Sequence, residues 1–173
     1  MSRLRRLVLS DRFFFVSCRL AANRQLLADP DFACLARVVR ERREKYRFLL
    51  TAWVFLPDHW HAIIYPRYPV TISTVMEAIK VGSTLRINAN HRESGRLWQS
   101  RYFDRALRTV KEYHEKVEYI HLNPVKAGLV RWPEEWPWSS IHGYKGTVKE
   151  APSIPTGLAI DRFLLPADGR ARI

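Results

Sequence analysis

The sequence predicts an α+β fold, one antiparallel sheet with helices packed on it. Three observations carry that expectation. Two adjoining β-rich runs, residues 48–56 and 59–65, are separated only by the turn signal Pro57-Asp58, which reads as a hairpin. Long segments elsewhere place apolar residues at helical spacing. The elements then follow in the order strand, helix, two strands, helix, strand, helix, which suits a sheet with helices layered against it.

Each element has its own local warrant. "FFFVSCRL", Phe13 to Leu20, reads as a buried strand. Asp29-Pro30 looks like an N-cap and first helical residue. The helix from Pro30 to about Tyr46 carries Phe32, Leu35, Ala36 and Val39 on one side, with Arg37, Arg40, Arg43 and Lys45 over the rest. "FLLTAWVFL" and "HWHAIIY" form the hairpin. After Pro69, Ile72, Val75, Met76 and Ile79 recur at helical spacing, and Gly82 weakens the middle of that helix. "RESGRL" is a loop, and Trp98 to Arg108 reads as another short strand. A helix from Val110 to Asn123 is expected to stop at Pro124. Residues 1–145 are expected to form one domain. Residues 146–173 lack periodicity and are expected to be a loosely packed tail.

Composition narrows the class of partner. The 173 residues suit a single domain, and 47% of them are hydrophobic, enough for a core. The net charge is +12 and the pI about 10.2. Such an excess favours a polyanion, either nucleic acid or an anionic membrane surface. No apolar run approaches the roughly 18 residues of a membrane span. The basic start "MSRLRRLVLSDRFFF" is broken by Ser10, Asp11 and Arg12, so no signal peptide is read and a cytoplasmic location is expected. The two cysteines, Cys18 and Cys34, have no C-x-x-C partner, which argues against a disulfide framework or a cysteine-based zinc site.

Two motifs carry chemistry. In "LPDHWHAIIYP", His59 and His61 lie two apart in a strand and share a face, while Trp60 points the other way. Two converging imidazoles can bind a transition metal, or Mg²⁺ with oxygen ligands. Alone the pattern is weak, since two strand histidines hydrogen-bonded to neighbours would give the same spacing. In "VKEYHEKVEYIHLN", a step of about 100° per residue gathers Val110, Tyr113, Val117 and Ile120 into an apolar stripe. Tyr119, Asn123, Lys116 and Glu112 fall on another face. Tyr119 and Asn123 are one turn apart. Tyr113 is therefore the core tyrosine and Tyr119 the displaced one. A surface tyrosine and a helix-terminal asparagine would look the same in isolation. His121 projects away from Tyr119 and is left out of the site.

Together the two segments resemble a known family. "LPDHWHAIIYP" is similar to the His–hydrophobic–His motif of the HUH single-strand endonucleases, and "EYIHLNPVKAGLV" to the tyrosine helix of their single-tyrosine transposases. "WQSRYFDRALR" and "WPWSS" resemble the REP-associated tyrosine transposases among them. The resemblance spans roughly residues 10 to 145. It implies a ferredoxin-like antiparallel sheet with helices on one side or both. It also implies that His59 and His61 are ligands of a divalent metal, Mg or Mn, that Asn123 is the third ligand, and that Tyr119 is the nucleophile. The implied activity is cleavage and rejoining of single-stranded DNA at hairpin-forming repeats through a 5′-phosphotyrosine, leaving a free 3′-OH. A metal held by two imidazoles and an amide keeps positions open for a phosphate oxygen. A phosphotyrosine conserves the bond energy for rejoining. Lys116 could ease loss of the phenolic proton, clamp a phosphate, or be merely solvated.

Basic residues surround these motifs: Arg67, Lys80, Arg86, Arg92, Arg96, Arg101, Arg105, Arg108, Lys111 and Lys126. Trp98, Tyr102, Phe103, Trp132, Trp136 and Trp138 are interleaved with them. Cations tracking a backbone beside aromatics for stacking suit single-stranded nucleic acid. Lys116, Lys80, Arg86, Arg96, Arg101, Arg105, Lys126 and Trp98 are the candidate DNA contacts, in a monomer or homodimer. Two other readings stay open: a non-catalytic nucleic-acid-binding module on the same scaffold, and a replication-initiator-like nickase, which the short length disfavours.

Overall fold

The computed structural model describes residues 10–144 and 157–173. Four strands, β1 (Phe14–Arg19), β2 (Leu49–Phe55), β3 (His59–Tyr65) and β4 (Phe103–Ala106), form one antiparallel sheet in the order β2-β3-β1-β4. Three long helices pack on it: α1 (Asp29–Tyr46), α2 (Ile72–His91) and α3 (Val110–Lys126). A 3₁₀ turn (Pro133–Glu135) and a short α4 (Ile141–Tyr144) follow. This is the expected α+β architecture, with helices on both faces of the sheet.

Strand alternation explains the two layers. In β1, Phe14, Val16 and Cys18 turn to one face and meet Phe32, Leu35 and Val39 of α1 and Val75, Met76 and Ile79 of α2. Phe13 and Phe15 turn to the other face, where Ile63 and Val54 also point. There they meet Tyr113, Val117 and Ile120 of α3. The β2–β3 hairpin closes where the Leu56 N–H donates to the His59 carbonyl at 2.8 Å. His59 therefore stands at the first position of β3, immediately past the turn.

Gly82 does not interrupt α2. A Cβ there would come within 3.0 Å of the Arg42 guanidinium and 3.1 Å of Val38 Cγ1, so glycine lets α2 approach α1 closely. α1 starts one residue earlier than expected. Ala28 is its cap, and the Asp31 carboxylate accepts from the Ala28 N–H at 3.0 Å. Pro124 does not stop α3, which runs on to Lys126. The proline forfeits a single helical bond within the last turn, and the Ala127 and Gly128 N–H groups close that turn onto Asn123 and Val125. The strand expected over Trp98–Arg108 is shorter. Only Phe103–Ala106 pair in a ladder with β1, and Trp98 joins Leu20 through one isolated bridge.

The outer edge of β2 is covered. Trp53 N–H donates to the Ser140 hydroxyl, and Phe55 N–H to the Trp138 carbonyl. Residues 146–156 of the expected tail, with residues 1–9 and 145 of the expected domain, lie outside the described residues. Residues 157–173 form no helix or strand but are tied to the domain more firmly than composition suggested. Leu158 is buried, Asp161 exchanges main-chain and carboxylate bonds with Leu50, and Phe163 packs on the Phe13 ring at 5.1 Å. The Gly169 and Ala171 carbonyls accept from the Lys111 and Val110 N–H groups, which have no partners within α3. Among the described residues no helix is long and apolar enough to cross a membrane.

Candidate functional site

The site lies on the α3 face of the sheet. Its floor is Phe15 of β1, whose ring stacks on His61 at 5.3 Å and meets Tyr119 edge-on at 5.7 Å. The His59 and His61 rings are 4.8 Å apart, and the His61 and Tyr119 rings 5.4 Å apart. Residues 58 positions apart in sequence are thus brought together. β3 supplies the imidazoles through its period of two, and α3 supplies the phenol beside its apolar stripe. Trp60 points into the opposite core, as alternation requires.

Two ammonium groups flank the phenol. Lys116 Nζ lies 5.2 Å and Lys126 Nζ 5.1 Å from the Tyr119 ring centroid, and Lys116 is also 4.8 Å from the Phe15 ring. Both separations are within cation–π range. They place two positive charges against the Tyr119 ring. Asn123 is buried one turn beyond Tyr119. Tyr113 is buried on the apolar stripe, and His121 is buried with its Nε2 3.0 Å from the Ser140 hydroxyl, away from the phenol.

The imidazoles suit a divalent metal. His59 Nδ1 lies 2.5 Å from the Asp58 carboxylate, which fixes the ring and leaves Nε2 free. His61 is buried, and neither of its ring nitrogens has a hydrogen-bond partner among the described residues. Orphaned nitrogens of this kind are rare and ask for an explanation. Burial is the largest influence pushing the His61 pKa down to about 3, and the neighbouring His59, Arg19 and Lys116 push the same way. The Val16 main chain acts in the opposite sense but makes no bond of normal geometry to the ring. His61 is therefore neutral at pH 7, the state a metal ligand requires. The described residues contain no group of three His, Cys, Asp or Glu able to hold an ion. An ion here would need an amide or solvent oxygen beside the two imidazoles, and Asn123 is the amide that the sequence puts forward.

The candidate DNA contacts divide. Lys116 and Lys126 belong to the site. Arg96 and Arg101 are exposed and available. Arg105 pairs with Glu112 at 3.0 Å, and Glu112 also accepts from the Arg108 N–H. Lys80 donates to the Gln99 and Ser100 carbonyls, and Arg86 makes a two-pronged pair with Glu41, so both already have work within the fold. Lys80 and Arg86 also lie on α2, across the sheet from the phenol. Trp98 corrects the sequence reading. It is only 1% exposed and its indole N–H donates to Ser83 at 2.8 Å, so it cannot stack on a base. Sequence reasoning missed Asp58, which looked like a turn residue, and Phe15, which looked like undifferentiated core. The adjacency of a carboxylate to the first histidine was the available signal for Asp58.

Comparisons with known proteins agree on one kinship. The family model described as "Transposase IS200 like" matches residues 15–123. A REP-associated tyrosine transposase of Escherichia coli K12 is 30% identical over 143 residues, covering 82% of this chain and 84% of that one. A putative REP-associated tyrosine transposase of Haemophilus influenzae is 33% identical over 110 residues, 57% of this chain and 62% of that one. The solved structure of a REP-associated tyrosine transposase bound to a REP hairpin superposes with a TM-score of 0.73 at 27% identity, covering 100% of this chain and 99% of that one. A putative transposase from Deinococcus radiodurans shares the fold at a TM-score of 0.50 and 19% identity, covering 69% of this chain and 95% of that one.

Proposed function

The chain belongs to the IS200-like transposase family, in its REP-associated tyrosine branch, and from that premise we propose that it cuts and rejoins single-stranded DNA with Tyr119 as nucleophile. The Tyr119 oxygen attacks the phosphorus, the Tyr–O–P bond forms, and the P–O3′ bond breaks. The phenolic proton leaves, and the departing 3′-oxygen ends as a hydroxyl. Rejoining is the reverse attack by a 3′-OH, so no energy source beyond the phosphotyrosine is needed.

The observation that carries this reading is the convergence of the Tyr119 ring on His61, 5.4 Å away, with two lysine ammonium groups beside the phenol. His59, His61 and the Asn123 amide are the residues that would hold a divalent ion, Mg²⁺ or Mn²⁺. Such an ion would supply Lewis acidity toward a phosphate oxygen. Asp58 orients His59. Lys116 and Lys126 bind the incoming phosphate. Phe15 walls the site on its core side. The net charge of +12 supports DNA as the partner, and the REP hairpin bound by the solved relative supports a DNA hairpin as the substrate form. Unpaired flanks on that hairpin are our addition, since transfer through a tyrosine acts on a single strand. A cytoplasmic location, with access to DNA, follows from that activity.

The test is a labelled hairpin oligonucleotide with single-stranded flanks, Mg²⁺, and a denaturing gel. A protein–DNA adduct is expected from the wild type and from Tyr113→Phe. None is expected from Tyr119→Phe, from His61→Ala, or in excess EDTA. An adduct from Tyr119→Phe, or an undiminished adduct in EDTA, would overturn the reading. Binding without any adduct would return the protein to the class of binding modules.

A further inference from the structure

Transfer through Tyr119 requires that one phosphate of a flexible strand face the phenol. With His59, His61, Asn123 and the two lysines given to the metal and the phosphate, the base beside it needs another side chain. Phe103 is placed for that. It is 56% exposed and sits in β4, the outermost strand, beside the site. The pairing of Phe103 with Ser17, and of Arg105 with Phe15, puts Phe103 on the same sheet face as Phe15 and His61. Its ring meets Phe15 at 6.2 Å, near the long end of aromatic contact. Phe15 in turn touches His61, Tyr119 and Lys116. Phe103 thus stands one ring beyond the floor of the site and is itself exposed.

The placement runs against ordinary edge chemistry. Edge strands are blunted with charge, as Asp104 and Arg105 do here. A phenylalanine left more than half in water among them forgoes the stabilisation of burial. Covering Phe15 accounts for part of its surface, not for the rest. The opposite edge of the sheet, along β2, is covered by Trp138, Ser140 and Asp161. β4 has no such cover among the described residues. Arg101, two residues earlier, is exposed, and Lys116 lies over the adjoining ring.

We propose that Phe103 is the stacking platform for an unpaired base next to the scissile phosphate, and so a positioning residue for strand transfer. The proposal rests on the reading of Tyr119 as nucleophile, because that fixes where the scissile phosphate lies. The ligand is a nucleobase of single-stranded DNA. A duplex base has both faces occupied by its neighbours and cannot use the ring. Phe103 therefore helps the site accept the flank of a hairpin and reject the stem.

The experiment uses the full chain in a Tyr119→Phe background, which cannot cleave. The probe is a synthetic hairpin with unpaired flanks carrying 2-aminopurine at one flank position at a time. Binding should quench the fluorescence strongly at one position. Phe103→Ala should abolish that quench and weaken binding of the flanked hairpin by roughly 5- to 150-fold, the range spanned by stacking of one base on an aromatic ring. Binding of a blunt hairpin should stay within about twofold of the parent, since phosphate contacts are untouched. Phe103→Trp should restore both signals. With Tyr119 intact, Phe103→Ala should slow adduct formation at subsaturating DNA by a similar factor. An unaltered thermal melt, expected for so exposed a ring, separates this from misfolding. The same quench and affinity in Phe103→Ala as in its parent would overturn the proposal, as would equal losses on flanked and blunt hairpins. If wild type forms the adduct but no quench depends on Phe103, only the platform falls. If the quench depends on Phe103 but no adduct forms, the chemistry assigned to Tyr119 falls and base stacking on Phe103 stands.

Discussion

Replacing Asp58 by asparagine removes a charge from the site while keeping an acceptor oxygen in place. The Asp58 carboxylate lies 2.5 Å from His59 Nδ1. It holds the ring and makes the opposite nitrogen a stronger donor. Losing such a partner typically costs 10- to 100-fold in metal affinity or activity. The surroundings choose within that range. The His59 side chain is only 11% exposed, but that of Asp58 is 50% exposed, so water screens the carboxylate. Arg19, 3.9 Å away and 60% exposed, adds little. Asparagine still accepts from Nδ1–H, so the ring keeps its orientation and only the charge is lost. The expected loss for Asp58→Asn is about 10-fold in metal affinity, close to 1.4 kcal/mol. Asp58→Ala, which also frees the ring, should approach 100-fold. Calorimetric titration of Mn²⁺ into the DNA-free protein measures affinity directly. The Mn²⁺ midpoint of adduct formation measures it under turnover. Both should move to higher metal by the same factor, with the rate at saturating Mn²⁺ largely retained. Unchanged midpoints in both assays would refute the role given to Asp58 and weaken the case that His59 is a ligand.

Trp98→Ala should act on stability rather than on DNA. Loss of a buried indole costs about 3–5 kcal/mol, so the melting temperature should fall by about 6 °C or more while the wild-type affinity persists below the new transition. Log K for single-stranded DNA should fall with log salt at about −0.7 per phosphate contacted, with a slope equivalent to roughly four or more phosphates. A hairpin with an unpaired flank should bind better than a blunt duplex of equal length. Acid should destabilise the metal-free fold. Burial lowers the His121 pKa to about 4 and the His61 pKa to about 3, below their unfolded values, so the unfolded chain binds more protons in between. Their contribution is complete above about pH 6.5 and declines as pH falls toward 4. Urea titrations at several pH values should show His121→Gln reducing the slope by about 1.4 kcal/mol per pH unit near pH 5.5, and an unchanged slope would contradict the burial argument.

Much of the fold was legible because its elements announce themselves locally. The apolar run Phe13–Cys18, the Pro57-Asp58 turn and the stripe of Val110, Tyr113, Val117 and Ile120 each have one physical reading. What failed depended on neighbours. Whether Gly82 breaks a helix depends on how close α1 comes, and whether Pro124 ends one depends on the bonds that close the turn after it. Trp98 could stack on a base or fill the core, and only the Ser83 hydroxyl beside its indole decides. Residues 157–173 carry no periodicity because they dock through main-chain bonds to Leu50, Val110 and Lys111 and through a few isolated side chains, Leu158, Asp161 and Phe163, which set no repeating pattern. The histidine pair and Tyr119 were individually weak signals. Their meeting is a property of β3 and α3 sharing one face of the sheet, and the family motif supplied it before the geometry did.

Tyr119, and no other tyrosine, is expected to become bonded to DNA. Trypsin separates the candidates, because Lys111, Lys116 and Lys126 place Tyr113 in the peptide 112–116 and Tyr119 in the peptide 117–126, each with a single tyrosine. Wild-type protein incubated with a flanked hairpin and Mn²⁺ is digested with trypsin and nuclease, and the nucleotide-bearing peptide is identified by mass spectrometry. One modified peptide is expected, 117–126, with the phosphonucleotide on Tyr119 and none when EDTA is present. A phosphonucleotide on the 112–116 peptide, or on any tyrosine outside α3, would contradict that expectation.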